Sequence, residues 1–214
     1  MISHEHKAIL IHIPKTGGSS FERLLCGQVF DHPTVSRMPN AQGFQHLDAR
    51  EMKASFGREI WEEYFTFSFV RNPWDLMVSL YAFLLTEHWP GKYLYYHDVF
   101  KTGVREGIQS DGPISFEDFI DRAPTFNRYS TAGQLTYLVD RRGKIELDFI
   151  GRFENYAEDA EKILKTLGVK EKIGHDKKSE HNHYSTYYNE RTKDKIYKLF
   201  RRDIKYFGYE FEKE

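Results

Sequence analysis

The residues best suited to chemistry lie in a short glycine-rich segment near the start of the chain. Residues 12–20 read His-Ile-Pro-Lys-Thr-Gly-Gly-Ser-Ser and directly follow an apolar run at 8–11. Backbone N–H groups of such a turn, with the unpaired N–H groups of a helix that follows, converge on one point and favour an anion. We expect that helix over about 19–25. A cation and three hydroxyl donors suited to tetrahedral oxyanions stand in the same segment: Lys15, Thr16, Ser19 and Ser20.

The order of residues in this segment separates it from the P-loop of nucleoside triphosphatases. Gly17 and Gly18 let the main chain approach an anion closely, but Lys15 precedes them. The P-loop pattern G-x-x-x-x-G-K-[ST] places its lysine after the glycines, next to a hydroxyl that binds magnesium. The segment therefore predicts an anion site without the magnesium ligand of a P-loop.

A second strand-to-helix transition occurs at residues 65–81. Residues 65–70 are rich in β-branched and aromatic side chains and predict a strand. Asn72 is a common N-cap residue, and Pro73 suits the first position of a helix. The chain thus carries a second loop at the carboxyl end of a strand, where ligands bind in α/β sheets.

Together the two segments resemble the two cofactor signatures of the sulfotransferases, in the branch that contains carbohydrate O-sulfotransferases and many bacterial relatives. The matching residues are P-K-T-G-G-S-S at 14–20 and F-V-R-N-P-W-D-x-x-V-S-x-Y at 69–81. The resemblance covers roughly the whole chain, since it continues at 45–51, 149–155 and 203–211.

The resemblance implies a donor, 3′-phosphoadenosine 5′-phosphosulfate (PAPS), and a sulfuryl transfer to an acceptor hydroxyl, without a metal. Lys15 would stabilise the charge that develops on the bridging oxygen, and Arg71 and Ser79 match the family's ligands of the 3′ phosphate. Lys178 and Ser179 match a loop that closes over the nucleotide in relatives. The residues expected to contact the donor are Lys15, Thr16, Gly17, Gly18, Ser19, Ser20, Arg71, Ser79, Lys178 and Ser179.

The expected base is His46, which lies in the segment where this family presents a histidine. Imidazole has a suitable pKa to accept a hydroxyl proton near neutrality. Asp48 and Glu51 are close enough in sequence to orient His46 or to replace it. Arg152 and Glu154 belong to the family's G-R-F-E-N segment, where we expect a structural role beside the cofactor.

Bulk properties limit the classes of partner. The 214 residues suit one domain, and the formal net charge of -1 provides no global field to attract nucleic acid or an anionic membrane. The single cysteine excludes an internal disulfide, and no segment has the roughly 18 to 20 apolar residues of a membrane span. With no targeting signal visible, we expect a cytoplasmic bacterial or viral protein, or a form from which an anchor was removed. The oligomeric state stays open.

The hydrophobic periodicity gives an alternation of strands and helices, which predicts an α/β fold with parallel strands. The resemblance implies the sulfotransferase fold, a single P-loop-like domain with a central, mostly parallel sheet flanked by helices. An irregular insertion is expected over 87–112, and a short helix begins at Ser115. Residues 135–139 and 144–153 read as a hairpin. The remaining predicted elements are strands at 7–13 and 65–70, and helices at 19–27, 48–55, 74–86, 156–167 and 190–207.

Three points of function stay open at this stage. The acceptor is expected to be a sugar hydroxyl by family analogy, with a lipid, a polyketide or a tyrosine as alternatives. A non-catalytic nucleotide-binding module, or a kinase on the same kind of fold, is an alternative to the enzyme. His175, His181 and His183 stand in a polar stretch without a fixed fourth ligand, so no metal site is expected.

Overall fold

A computed structural model of the protein describes residues 1–27, 46–85, 115–123, 133–174 and 181–213. The chain divides into two compact units, one built from residues 1–71 and 134–178, the other from residues 72–133 and 179–214. Each unit therefore consists of two separate segments of the chain. The expectation of a single domain stays a prediction, and the predicted insertion over 87–112 lies outside the described residues.

The helices are numbered in chain order. In the described residues they are α1 (Gly18–Cys26), α2 (Ala49–Glu63), α3 (Pro73–Leu85), α4 (Phe116–Arg122), α5 (Leu135–Leu138), α6 (Tyr156–Thr166), α7 (Glu190–Leu199) and α8 (Arg201–Phe207). Short 3-10 helices lie at Phe153–Asn155 and Tyr184–Tyr187. The last predicted helix, 190–207, is thus two helices that meet at Phe200.

The first unit contains a four-stranded sheet in the order β1-β2-β3-β4. Its strands are β1 (Ile2–Ser3), β2 (Ala8–Ile11), β3 (Phe65–Val70) and β4 (Phe149–Arg152). β2, β3 and β4 are parallel, and only β1 pairs antiparallel, with β2. The mostly parallel α/β class expected from the sequence is confirmed. β1 was not predicted, because two residues are too few to show a period.

Parallel pairing places the carboxyl ends of β2 and β3 at one edge of the sheet. In the register, Ile11 lies opposite Ser68, and the Ser68 hydroxyl donates to the Ile11 carbonyl over 2.7 Å. Val70 lies opposite Arg152 at the end of β4. The residues that directly follow β2 and β3, which are His12 and Arg71, therefore lie at the same edge of the sheet.

The core beneath this edge consists of aromatic and aliphatic side chains of the sheet, α1 and α6. The Phe21 ring on α1 lies 5.0 Å from that of Phe67 and 5.6 Å from that of Phe69, measured between centroids. All three side chains are almost fully buried. Because α1 is packed so closely on the sheet, the position of its first turn is fixed relative to β2 and β3.

The hairpin predicted over 135–139 and 144–153 is wrong in its main part. Residues of the first arm form α5, and Val139 and Ile145 make only an isolated antiparallel bridge. The second arm ends in β4, which pairs in parallel with β3. The competing contact is at Asp148, whose carboxylate accepts from the N–H and hydroxyl groups of Thr66 over 2.7 and 2.8 Å. This contact sets the register of β4 on the longer, buried β3.

α2 extends beyond the predicted 48–55. It begins after Asp48 and runs to Glu63, with Gly57 in a non-helical conformation at a φ of 86°. Gly57 therefore kinks α2 but does not end it, because the apolar face of the helix continues after the kink with the buried Trp61.

The second unit is helical in its described residues. Asn72 caps α3 as predicted, with its Oδ1 accepting from the Trp74 N–H over 3.1 Å. Ser115 caps α4 as predicted, accepting from the Asp118 N–H over 3.2 Å. The Arg191 guanidinium on α7 donates to two carboxylates on α4, those of Glu117 and Asp121. Local capping signals and cross-helix ion pairs thus define this unit.

Candidate active site

The turn between β2 and α1 has the backbone conformation that an anion cradle requires. Gly17 is the N-cap of α1 with a φ of 87°, in the left-handed region that favours glycine. A Cβ at Gly17 would also lie 2.6 Å from the Tyr156 ring, and the Tyr156 hydroxyl donates to the Gly17 carbonyl over 2.8 Å. The first turn of α1 holds no acidic residue. An anion at the N-terminus of α1 would therefore meet backbone N–H groups without repulsion from a carboxylate in that turn.

The other loop residues have different positions. The Thr16 hydroxyl is buried and donates to the Ile13 carbonyl over 2.8 Å, so this side chain shapes the turn. Ser20 is buried on α1, and Ser19 and Lys15 are partly exposed. Lys15 has a φ of 64°, a conformation that non-glycine residues seldom adopt. The turn therefore presents Lys15 at the cost of local backbone strain.

Arg71 joins the second motif to the first. Its Nη1 donates to the Lys15 carbonyl over 3.0 Å, and its guanidinium carbon lies 4.0 Å from the centre of the Phe153 ring. The Arg71 guanidinium is therefore held over the Phe153 ring, beside the anion turn. A guanidinium so placed is suited to forked hydrogen bonds with phosphate oxygens.

Gln134 fixes the backbone of Arg71. Its amide accepts from the Arg71 N–H over 2.8 Å and donates to the Arg71 carbonyl over 2.7 Å. Gln134 is 1% exposed, so these bonds are shielded from water. The sequence did not predict this contact, because Gln134 is 63 residues away and no local pattern marks it.

His46 is held against the start of the anion loop. Its Nδ1 lies 2.9 Å from the His12 carbonyl oxygen. A carbonyl only accepts, so Nδ1 carries the hydrogen and the neutral ring has its lone pair on Nε2. His46 also has a φ of 61°. The arrangement gives Nε2 the protonation state that a general base needs.

Asp48 and Glu51 form a capping box at the start of α2. The Asp48 carboxylate accepts from the Glu51 N–H, and the Glu51 carboxylate accepts from the Asp48 N–H, both over 2.9 Å. Arg50 also pairs with Asp48 over 2.7 Å. These contacts fix the beginning of the helix two residues after His46. The two carboxylates expected as partners or substitutes of His46 therefore serve the helix start.

A buried contact between a histidine and a carboxylate, not expected from the sequence, lies behind the loop. His12 Nδ1 is 2.6 Å from Glu22 Oε1, and both side chains are at least 95% buried. The rings of His12 and His46 are 4.7 Å apart between centroids. The only sequence signal was the position of His12 at the end of the strand that leads into the loop.

The remaining predicted site residues are less informative. Ser79 is buried on α3, in the second unit. Arg152, at the end of β4, donates its N–H to Asp159 on α6 over 2.9 Å. Lys178, Ser179 and His175 lie outside the described residues. Within the described ranges, no cluster of His, Cys, Asp and Glu side chains could hold a metal, and no helix is long and apolar enough to cross a membrane.

A family model described as "Sulfotransferase family" matches residues 1–210. The chain belongs to the sulfotransferase family. This membership confirms the family expected from the motifs, over nearly all of the chain.

Two relatives illustrate where this sulfotransferase stands in the family. It is 23% identical to carbohydrate sulfotransferase 10 of Xenopus laevis, over 97% of this chain and 66% of the relative. It is 25% identical to human carbohydrate sulfotransferase 9, over 80% of this chain and 41% of the relative. The chain thus spans less than two thirds of the length of these relatives.

Several solved structures are similar to this chain. One of them is the mouse sulfotransferase SULT7A1 complexed with PAP, at 13% identity and a TM-score of 0.48, over 95% of this chain and 86% of the mouse chain.

Proposed function

We propose that this protein transfers a sulfuryl group from PAPS to an acceptor hydroxyl, with a carbohydrate as the acceptor. The observation that carries the proposal is the contact between Arg71 and the Lys15 carbonyl. Arg71 belongs to the second motif and Lys15 to the loop of the first motif, so this contact brings the two motifs together. PAPS carries phosphate groups at the 3′ and 5′ positions of its ribose, and such a ligand needs both motifs at one site.

The described residues fit a donor of this chemistry. The backbone of Gly17, Gly18, Ser19 and Ser20, at a helix start without carboxylates, suits the 5′ phosphosulfate. Lys15 and Arg71 supply positive charge beside this backbone. When bound, the donor supplies the sulfuryl group and a phosphate leaving group. Ser79 as a ligand of the 3′ phosphate, and Lys178 and Ser179 as a closing loop, stay predictions.

In the proposed reaction, His46 acts as the general base and Lys15 stabilises the leaving group. His46 Nε2 accepts the proton that the acceptor hydroxyl loses as its oxygen bonds to sulfur. Lys15 stabilises the negative charge left on the phosphate oxygen when its bond to sulfur breaks. The described geometry supports the role of His46, because Nδ1 donates to the His12 carbonyl and the lone pair of the neutral ring is therefore on Nε2.

The acceptor class rests on the relatives. Two of them are named carbohydrate sulfotransferases, and the match to the Xenopus protein covers nearly the whole of this chain. A sugar hydroxyl is therefore the first acceptor to test, ahead of a lipid or a tyrosine.

The proposal is tested by calorimetric titration with 3′,5′-bisphosphoadenosine (PAP), with ADP and with ATP plus magnesium. We expect PAP to bind in preference to both other nucleotides. Arg71→Ala should weaken PAP binding at least tenfold through the loss of charge-assisted hydrogen bonds. Arg58→Ala is the matched control, since Arg58 is an exposed arginine of the same unit that pairs with Glu62. Preference for ATP with magnesium, or no binding, would contradict the proposal.

A further inference from the structure

His12 presents an unusual buried side chain beside the anion turn. The side chain is 5% exposed, and its Nδ1 donates to the Glu22 carboxylate over 2.6 Å. Glu22 is fully buried on α1. A carboxylate and an imidazole removed from water in this way are retained only when they are paired, and here the pair fixes the orientation of the ring.

The ring lies along the first turn of α1. Gly18 and Glu22 are four residues apart, so they are neighbours on one face of the helix. Nδ1 is at Glu22, whereas Cδ2 and Nε2 lie 2.2 and 2.5 Å from the position that a Cβ of Gly18 would occupy. Gly18 therefore makes room for the ring, and Nε2 is the ring nitrogen on the side of the helix start.

His12 Nε2 has no hydrogen-bond partner among the residues that the structure describes. A buried polar atom without a partner costs free energy comparable to a lost hydrogen bond, and native proteins seldom leave one. The position of this atom, at the N-terminus of α1, is also the position where an anion is favoured. The two observations are independent, and both place a binding partner of Nε2 at the start of α1.

We propose that His12 is a further ligand of the anion at the start of α1, and on the proposed function that anion is the 5′ phosphosulfate of the donor. Nδ1 donates to Glu22, so Nε2 must also carry a hydrogen to donate to an anion. His12 is then an imidazolium whose charge the Glu22 carboxylate balances. This role is distinct from that of His46, whose Nε2 must accept a proton.

The test compares three ligands on wild-type protein and on His12→Asn. PAP has both phosphates, AMP has only the 5′ phosphate, and adenosine 3′-phosphate has only the 3′ phosphate. The shorter amide of asparagine can still donate to Glu22 but does not reach the helix start. We expect His12→Asn to weaken PAP and AMP about tenfold or more, and to change the affinity for adenosine 3′-phosphate less than twofold.

Two further variants and one spectrum make the result decisive. His12→Gln, with an amide nitrogen placed like Nε2, should recover part of the lost affinity. His4→Asn is the matched control, because His4 is an exposed histidine of the same unit that contacts Tyr64, and it should change nothing. Nitrogen NMR of ¹⁵N-histidine-labelled wild-type protein should show one ring becoming an imidazolium on addition of AMP, but not of adenosine 3′-phosphate.

The outcomes separate this inference from the proposed function. If His12→Asn weakens all three ligands equally, or if no histidine changes in the spectrum, His12 is only structural and the inference is overturned. If wild-type protein binds no nucleotide, the proposed function fails. Inorganic sulfate then decides the inference alone, since sulfate should raise the melting temperature of wild-type protein by more than that of His12→Asn.

Discussion

At the scale of single residues, His46 distinguishes an enzyme from a nucleotide-binding module. Its Nδ1 is committed to the His12 carbonyl, and Nε2 is the basic nitrogen. We expect His46→Ala to lower kcat at least 100-fold, because general base catalysis typically contributes that much. PAP affinity should change less than twofold by calorimetry. Unchanged turnover would assign the base elsewhere, and His4→Ala is the control for removal of an exposed histidine.

Gly18 is a residue for which the structure predicts steric overlap. A Cβ there would lie 2.2 Å from the His12 ring. We expect Gly18→Ala to lower the free energy of unfolding by about 1–3 kcal/mol, as overpacking does, and to weaken PAP binding. Urea denaturation and calorimetry measure both. Gly168→Ala is the control, because its new Cβ would contact nothing within 4 Å while its φ is 70°. This variant therefore measures backbone strain without steric overlap, and it should bind PAP as the wild type does.

At the scale of elements, the capping box of α2 holds the segment that carries His46. Asp48 accepts from the Glu51 N–H at the helix start, two residues after His46. We expect Asp48→Ala to lower the free energy of unfolding by about 1 kcal/mol, and to lower kcat because the base is held less firmly. Glu59→Ala, an exposed change on the same helix, should do neither. Normal kcat in Asp48→Ala would show that the cap does not position His46.

The sequence predicted the elements whose determinants are local. The apolar run of β2, the glycines before α1, and the caps Asn72 and Ser115 each act within a few residues, and each was correct. β4 was misassigned because its pairing depends on Asp148 and Thr66, which are 82 residues apart.

The same distinction applies to the candidate site. The loop and the family's arginine follow from short motifs. By contrast, Gln134 and Glu22 act through contacts with Arg71 and His12 that exist only after folding. Buried polar partners of this kind have no periodicity or spacing that marks them in one sequence.

At the scale of the whole molecule, the reactivity of the Cys26 thiol measures how often the folded protein opens. The signal comes from one site, because the chain contains no other cysteine. Burial raises the pKa of the Cys26 thiol to about 11. At pH 8 the thiolate fraction should therefore be about 100-fold lower than in an unfolded chain, and the reaction with a disulfide reagent correspondingly slower. The absorbance of the released thiol measures the rate in native protein and in urea.

The binding of PAP should slow this reaction further, since a ligand of the folded state lowers the population of open states. Arg71→Ala with PAP is the control, and its rate should match that of the ligand-free variant. Equal rates in native and unfolded protein would contradict the raised pKa of the partly buried Cys26 thiol.

Lys15 and His46 share the left-handed backbone conformation, and in the described residues only Lys7 is a third non-glycine residue with positive φ. Such a conformation costs a side chain other than glycine about 1–3 kcal/mol, and asparagine tolerates it better than lysine does. Lys15→Asn should therefore unfold at a higher temperature than the wild type while losing turnover. A gain in stability together with a loss of turnover would show that the ammonium group of Lys15 serves the proposed reaction at the expense of the stability of the fold.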